Sequence, residues 1–361
     1  DRSVMIGCIV RHLAFKVYEN KIRQFYRNRN YTYAWFDDNG LIEQAGNLYN
    51  KIINLETEGL PDKRIYAEEF HKIMEQDSVE NNDEKPDIMQ ELMLTAQYFF
   101  YAQSVWTGMG IKGMQTVNWE LPQKKLSYEA ILDSMLEVPS SQFMTTEPLY
   151  PQYALLKSYL KKHREIKKTG GWPVITADKK TYRLGDSSSA IKTVRQRLLL
   201  SGDIAVNNQS AIFDTDLENG VKSFQQRYGF TDDGILTAGL IKEMNYPVEK
   251  RIEQIIVNME RCRWLPVALK RDYIVVNIPE FQFHAFENDT VAWSMKVVVG
   301  KAMHKTAIFN GMMSSVVFSP YWNIPYSIMQ KETLPALRRN RNYLKRNHME
   351  WNGNSIRQVP G

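Results

Sequence analysis

Residues 221–234 read Val221-Lys222-Ser223-Phe224-Gln225-Gln226-Arg227-Tyr228-Gly229-Phe230-Thr231-Asp232-Asp233-Gly234. Leu217, Val221 and Phe224 fall on one face at helical spacing, with Asp214 capping the start and Gly229 stopping the helix. Asp232-Asp233-Gly234 then makes a turn before a short helix over Leu236 to Met244. Upstream, Asp186-Ser187-Ser188-Ser189 caps a helix carrying Ile191, Val194 and Leu198, and Ser201-Gly202-Asp203 ends it. Three short helices within about 60 residues predict a small bundle.

Outward from that bundle the chain changes character twice. On the N-terminal side, Leu41, Ala45, Leu48, Ile52 and Leu55 keep helical spacing. So do Ile88, Leu92, Ala96, Phe99 and Phe100, and later Tyr153, Leu156, Tyr159 and Leu160. No strand pattern interrupts them, so residues 1 to about 168 read as helices with long loops. Lys167 to Pro173, with Gly170-Gly171, looks like a linker. On the C-terminal side a longer helix runs from Val248 to about Trp264, with Ile252, Ile255, Ile256 and Met259 apolar. Strands follow: a buried run Tyr273–Ile278, an alternating Phe281, Phe283 and Ala285, then Met295–Val299 and Ser315–Phe318. A basic helical stretch to Asn347 and an Asn- and Gly-rich loop over Asn347–Ser355 close the pattern. Four strands with an uncovered end make an incomplete β-unit, because exposed edges are a liability.

Composition narrows the classes. A length of 361 residues fits two or three domains at about 150 residues each. The 43% hydrophobic and 24% charged content is that of a folded chain. A net charge of +5 is too mild to argue for nucleic acid. Two cysteines, Cys8 and Cys262, exclude a disulfide framework and a Cys-rich zinc site. No run approaches the ~18 apolar residues of a membrane span. The apolar opening lacks the flanks of a signal peptide.

Several motifs tempt. Gly108, Gly110 and Gly113 spell G-x-G-x-x-G, but a nucleotide fingerprint needs a strand before it, so a flexible loop is the better reading. Asp214, Asp216, Asn219 and Gly220 miss the calcium-loop spacing, and Asp214 serves better as a helix cap. Cys8 and His12 supply two ligands, short of a metal site. His304 is a proton carrier or a cleft residue, or polar surface. Lys331, Arg338, Arg339, Arg341, Lys345 and Arg346 read as a solvated helix face. Cys262, at a helix end among packing residues, reads as core rather than as a nucleophile.

Two stretches together resemble known families. Residues 182–245 resemble a peptidoglycan-binding three-helix module through Leu184-Gly185-Asp186, Val194-Arg195-Gln196-Arg197-Leu198, Gly202-Asp203, Val221 to Phe230 and Asp233-Gly234-Ile235-Leu236. From Arg251 on, the chain is similar to the large multidomain L,D-transpeptidases of bacterial cell walls. The matching segments are Asn258 to Pro266, Val275-Val276-Asn277-Ile278-Pro279, Val297 to Lys301, Pro320-Tyr321-Trp322-Asn323-Ile324-Pro325 and Ile356 to Gly361. Gln24 to Arg29 and Trp35 resemble the helical scaffold domain of the same subclass.

The resemblance implies a multidomain α+β chain: a helical scaffold over 1–168, a linker over 169–181, a peptidoglycan-binding-like bundle over 182–247, a connecting helix over 248–268, and the N-terminal part of a β-rich catalytic domain over 269–361 with a lid-like, mobile insertion at about 331–357. It implies thiol acyl transfer without a cofactor, forming 3–3 crosslinks in the periplasm or cell envelope, with a part in cell shape. The partners it implies are stem peptides, glycan and cell-wall synthesis proteins, not nucleic acid. The family's Ser-His-Gly-Cys-x-Arg motif is absent, so the catalytic Cys, His and Arg are expected after Gly361, and these 361 residues alone are expected to be inactive. A departure also occurs at Thr306-Ala307, where the family has Thr-Pro. Substrate-binding candidates are Tyr321, Trp322, Asn323, His304 and Arg357. In the bundle they are Phe224, Gln225, Asp233 and Gly234. The alternative is a non-catalytic peptidoglycan-binding or scaffold protein.

Overall fold

A computed structural model describes residues 2–61, 66–76, 86–117, 119–266, 271–301 and 306–360. It divides into two compact units, residues 1–309 and 310–361.

The first unit begins with helices Arg2–Arg11, Glu19–Asn28, Glu43–Ile53, Ala67–Gln76, Ile88–Tyr101, Gly110–Thr116, Tyr128–Leu136 and Gln152–Lys168. Ile88–Tyr101 is apolar nearly all round and is the central element, as a helix buried on every side must be. Its one acid, Glu91, is fully buried. Glu91 accepts from Tyr26 Oη at 2.7 Å and from the backbone N–H groups of Ala34 at 2.6 Å and Trp35 at 3.0 Å. Burial raises its pKa, and those donors offset part of the rise. Two small strand pairings interrupt this region against expectation. Phe36–Asp37 pairs with Gly40–Leu41, and Trp119–Glu120 pairs in parallel with Ile308–Phe309. Strands of two residues leave no periodicity to read.

The bundle forms from Ser189–Ser201, Thr215–Arg227 and Ala238–Met244. Each helix begins on a side-chain cap: Ser188 to Ala190 N, Asp214 to Leu217 N and Thr237 to Leu240 N. Gly202 ends the first with φ +80°. The core is Ile191, Val194, Leu198, Leu217, Val221, Phe224, Leu240 and Met244. The stretch read as a linker is held down at several points. Ile175 is buried in this core, and its N–H donates to Asn245 Oδ1 at 2.8 Å. Trp172 Nε1 donates to Tyr246 O at 3.1 Å.

A ladder of alternating guanidinium groups and rings binds the bundle to its neighbours. Arg251 lies 4.4 Å from the Tyr246 ring and 4.8 Å from Tyr228. Arg227 lies 4.9 Å from Tyr228 and 5.2 Å from Phe224. Arg197 lies 5.5 Å from Phe224 and 3.8 Å from Trp172, whose ring meets His163 edge-on. Each such contact contributes about 0.5–1 kcal/mol at an exposed site and about 2 kcal/mol where water is excluded. His163 belongs to Gln152–Lys168, Arg197 to Ser189–Ser201, Arg227 to Thr215–Arg227 and Arg251 to the next helix, so the ladder joins four helices.

That next helix, Val248–Trp264, runs along Gln152–Lys168 and docks by its last turn. The Arg263 guanidinium is buried. It donates to Val105 O at 3.0 Å, Glu58 O at 2.6 Å, Tyr153 Oη at 2.9 Å and Glu260 Oε2 at 2.6 Å. Glu260 Oε1 accepts from Met109 N at 2.6 Å and Trp264 Nε1 at 2.9 Å. The glycines expected to form a flexible loop lie under this turn. A Cβ on Gly108, whose φ is +60°, would overlap the Glu260 carboxylate, and one on Gly113 would sit 2.5 Å from Trp264 Cζ2. The G-x-G-x-x-G spacing thus clears room for a helix end. The meander that follows is Tyr273–Asn277, Gln282–Glu287 and Thr290–Lys296.

Three strand expectations need correction. Asn288 and Asp289, at φ +50° and +62°, form a two-residue hairpin turn, so the third strand starts at Thr290 and ends before Val299. The run Tyr273–Asn277 alternates between half-buried and exposed residues rather than being wholly buried. Ser315–Phe318 pairs with no strand among the described residues, and β-structure requires a partner ladder.

In the second unit, Trp322–Asn323, Ser355–Gln358 and Met349–Asn352 form an antiparallel sheet in that spatial order. Helical segments from Tyr326 to Arg346 cover it, and Ile324, Met329 and Ile356 make its core with Leu334 and Leu344 against them. The Asn347–Ser355 stretch expected to be loop is largely this hairpin, turned at Gly353 with φ +60°.

Candidate functional site

Two clusters hold the residues singled out from sequence. The first is the turn after Thr215–Arg227. Phe224 is fully buried and stacks on Tyr228 with ring centroids 4.3 Å apart. Gln225 is buried beside it and clamps the turn with both ends of its amide. Nε2 donates to Asp233 Oδ1 at 2.8 Å and Ile235 O at 3.1 Å, while Oε1 accepts from Gly234 N at 2.9 Å. Asp233 Oδ1 also accepts from Ile235 N at 2.9 Å. The Ile235 N–H first, and the Gln225 amide second, hold the Asp233 carboxyl below the ordinary carboxylate range. Gly234 takes φ +73°, and a Cβ there would press on the Glu218 and Lys222 side chains. Phe224 and Gln225 therefore face inward, Gly234 is itself buried under the Glu218 and Lys222 side chains, and the exposed candidate of this cluster is Asp233.

The second cluster lies on the sheet of the second unit. Register sets the faces. Trp322, Ile324, Ile356, Met349 and Trp351 point to the helix-covered side. Tyr321, Asn323, Arg357 and Glu350 point to the other. There the Arg357 guanidinium lies 4.2 Å from the Tyr321 ring and 2.6 Å from Glu350 Oε1. Tyr321, Asn323 and Arg357 thus share one face, while Trp322, still 46% exposed, belongs to the opposite face. His304 lies outside the described residues. Glu350 escaped the sequence reading, although Gly353-Asn354 between alternating residues is a hairpin signal that pairs positions 350 and 357.

The thiol of Cys262 is not poised for chemistry. Cys262 is buried against the scaffold core, and burial pushes its pKa from 9.0 to about 11. Cys8 is half-buried in the Arg2–Arg11 helix. Lys124, which donates weakly to Trp106 O and Pro148 O, has its pKa lowered to about 8 by burial. Among the described residues no helix is long and apolar enough to cross a membrane.

Comparison with known families adds three matches. Residues 20–160 match the family described as "Scaffold domain", residues 187–244 match "Putative peptidoglycan binding domain", and residues 271–360 match "L,D-transpeptidase catalytic domain". A protein of Haemophilus influenzae named "Putative L,D-transpeptidase" is 26% identical over 92 residues, covering 26% of this chain and 18% of its own length. The chain thus spans about a fifth of that curated relative. With these domains in this order, the chain resembles along most of its length a large multidomain L,D-transpeptidase of bacterial peptidoglycan.

Proposed function

We propose that this chain is part of a peptidoglycan L,D-transpeptidase. The observation that carries the reading is that a match to the catalytic domain and a match to a peptidoglycan-binding domain occur on one chain. In this reading residues 1–168 are the scaffold, 169–181 the connection, 182–247 the glycan- or stem-binding module, 248–268 the connecting helix and 269–361 catalytic-domain sequence. The reaction is acyl transfer. A cysteine thiolate attacks the carbonyl after the third stem residue, and the C–N bond to D-Ala breaks as the leaving amine takes a proton. The amine of a neighbouring stem then displaces the thiolate, loses its proton and leaves a 3–3 crosslink.

Cys262 does not supply that thiolate, because a buried thiol with a pKa near 11 stays protonated at neutral pH. Tyr321, Asn323 and Arg357 present a ring face, an amide and a cation on one side of a sheet, a combination suited to a peptide bearing carboxylates. Trp322, on the opposite face of that sheet, and His304 are further candidates for substrate contact. In the bundle, Asp233 meets the ligand, and Phe224, Gln225 and the buried Gly234 hold it in place. The setting is the cell envelope or periplasm. The partners are stem peptides, glycan and wall-synthesis proteins.

The test is incubation of the whole gene product with disaccharide-tetrapeptides, followed by mass spectrometry for released D-Ala and 3–3 dimers. Sacculus binding without either product would leave a binding scaffold and sink the enzymatic reading.

A further inference from the structure

The chain has a net charge of +5, and one helix accounts for all of it. Gln152–Lys168 carries Lys157, Lys161, Lys162, Arg164, Lys167 and Lys168 against the single acid Glu165, a net of +5. Four of those cations, at 157, 161, 164 and 168, follow i, i+4, i+7, i+11 spacing and make one stripe along the helix. The stripe borders the buried face: Lys157 and Arg164 stand one turn after Tyr153 and Leu160 and are half-buried, while Lys161 and Lys168 lie on its solvent side. Lys157 is paired with Glu58, and Arg164 donates to Glu56 O. Lys161 and Lys168 are exposed, with no ion pair among the described residues. Support of the helix dipole accounts for cations in the last turn but not for Lys161, two turns earlier.

Position and chemistry select the partner. The helix abuts the bundle, since Lys162 Nζ donates to Ser201 O at 2.6 Å. A bilayer-seeking helix would carry apolar side chains between its cations. Here the exposed apolar residues, Leu155 and Tyr159, lie more than about a third of a turn round the helix from the stripe, so no wedge accompanies the charge.

We propose that the stripe Lys157, Lys161, Arg164 and Lys168 is a second peptidoglycan-contacting surface, binding the stem-peptide carboxylates of a strand held by the adjacent bundle. The inference rests on the peptidoglycan reading above, but not on transpeptidation.

The test is cosedimentation of the whole chain with purified sacculi at 50 and 500 mM NaCl. It compares the wild type, Lys161→Glu with Lys168→Glu, and the equally charged control Lys16→Glu with Lys72→Glu. The stripe variant should lose about tenfold in retention at low salt and the control less than about twofold, and the difference should vanish at high salt. Amidating the sacculus carboxylates should reduce the wild type to the level of the stripe variant. The Tm of the stripe variant should fall by no more than a few degrees, since both lysines are exposed and only the last-turn dipole and the spacing to Glu165 are affected.

Equal retention of the two variants would overturn the proposal, and so would indifference to amidation. Stripe-dependent binding to anionic phospholipid vesicles without sacculus binding would overturn it in favour of a membrane surface. D-Ala release and 3–3 dimers are scored separately. Stripe-dependent retention without them retires the enzymatic reading alone, and their presence with stripe-independent retention retires this proposal alone.

Discussion

Gly113→Ala reverses the usual sign of a helical glycine replacement. Gly113 lies inside Gly110–Thr116, where alanine ordinarily stabilises by about 1 kcal/mol. Here the new Cβ would sit 2.5 Å from Trp264 Cζ2 and 2.9 Å from Met109 Cβ. The indole must retreat, and such overpacking costs about 1–3 kcal/mol. Its retreat also breaks the 2.9 Å bond from Trp264 Nε1 to Glu260, costing about 1 kcal/mol more. Less the helix-propensity gain, the net is a loss of about 2 kcal/mol. For the first unit that lowers Tm by about 3 °C. Gly46→Ala is the matched control. It sits inside Glu43–Ile53 with nothing within 4 Å, so it should gain about 0.5–1 kcal/mol. Differential scanning calorimetry and urea melts of both variants measure the pair. If Gly113→Ala raises Tm as Gly46→Ala does, the docking of the connecting helix on these glycines is wrong.

Three further outcomes follow from other contacts. Arg263→Met should destabilise the first unit by about 3 kcal/mol in urea unfolding, because it strands the partly buried Glu260 and two carbonyls. At pH 8, iodoacetamide followed by peptide mass mapping should modify Cys8 first. Raising the Cys262 pKa from 9.0 to about 11 cuts its thiolate fraction by about a hundredfold, and comparable labelling would contradict its burial. Asp178, Asp186, Asp214 and Asp233 are all held below the ordinary 3.8 in the folded bundle. Groups depressed on folding stabilise above pH 3.8 and lose that contribution as pH falls through their folded values, so the bundle's Tm should fall as pH drops below about 4. A Tm independent of pH between 5 and 2 would remove that linkage.

The sequence discloses best what is local and periodic. The ends of Val248–Trp264 and the caps Asp214 and Gly202 are legible because helix termini carry their own chemistry. The third strand of the meander is misplaced because Asn288-Asp289 is a turn signal flanked by only weak alternation. The hairpin at Gly353 hides inside a polar stretch that composition alone assigns to loop. The glycines at 108 and 113 resist reading for another reason: their partner lies about 150 residues away, and only tertiary packing tells a docking notch from a flexible loop. The same holds for the candidate site. The Arg357–Tyr321 contact joins strands whose pairing is set by register, while the inward aim of Phe224 and Gln225 follows from a core no single helix reveals.

The ladder from Tyr246 to His163 changes what the bundle can offer an enzyme. Left slack, the thirteen residues of 169–181 would be a tether with an r.m.s. reach of about 20 Å, and cargo caught by the bundle would be concentrated nearby without being placed. With Trp172 clamped between Arg197 and His163, and Arg251 clamped between Tyr228 and Tyr246, that wandering is quenched. A polymer held on the bundle is then presented at one address relative to the Val248–Trp264 helix. Under the proposed function, capture becomes registration: a bound repeat would be fixed in place as well as in amount.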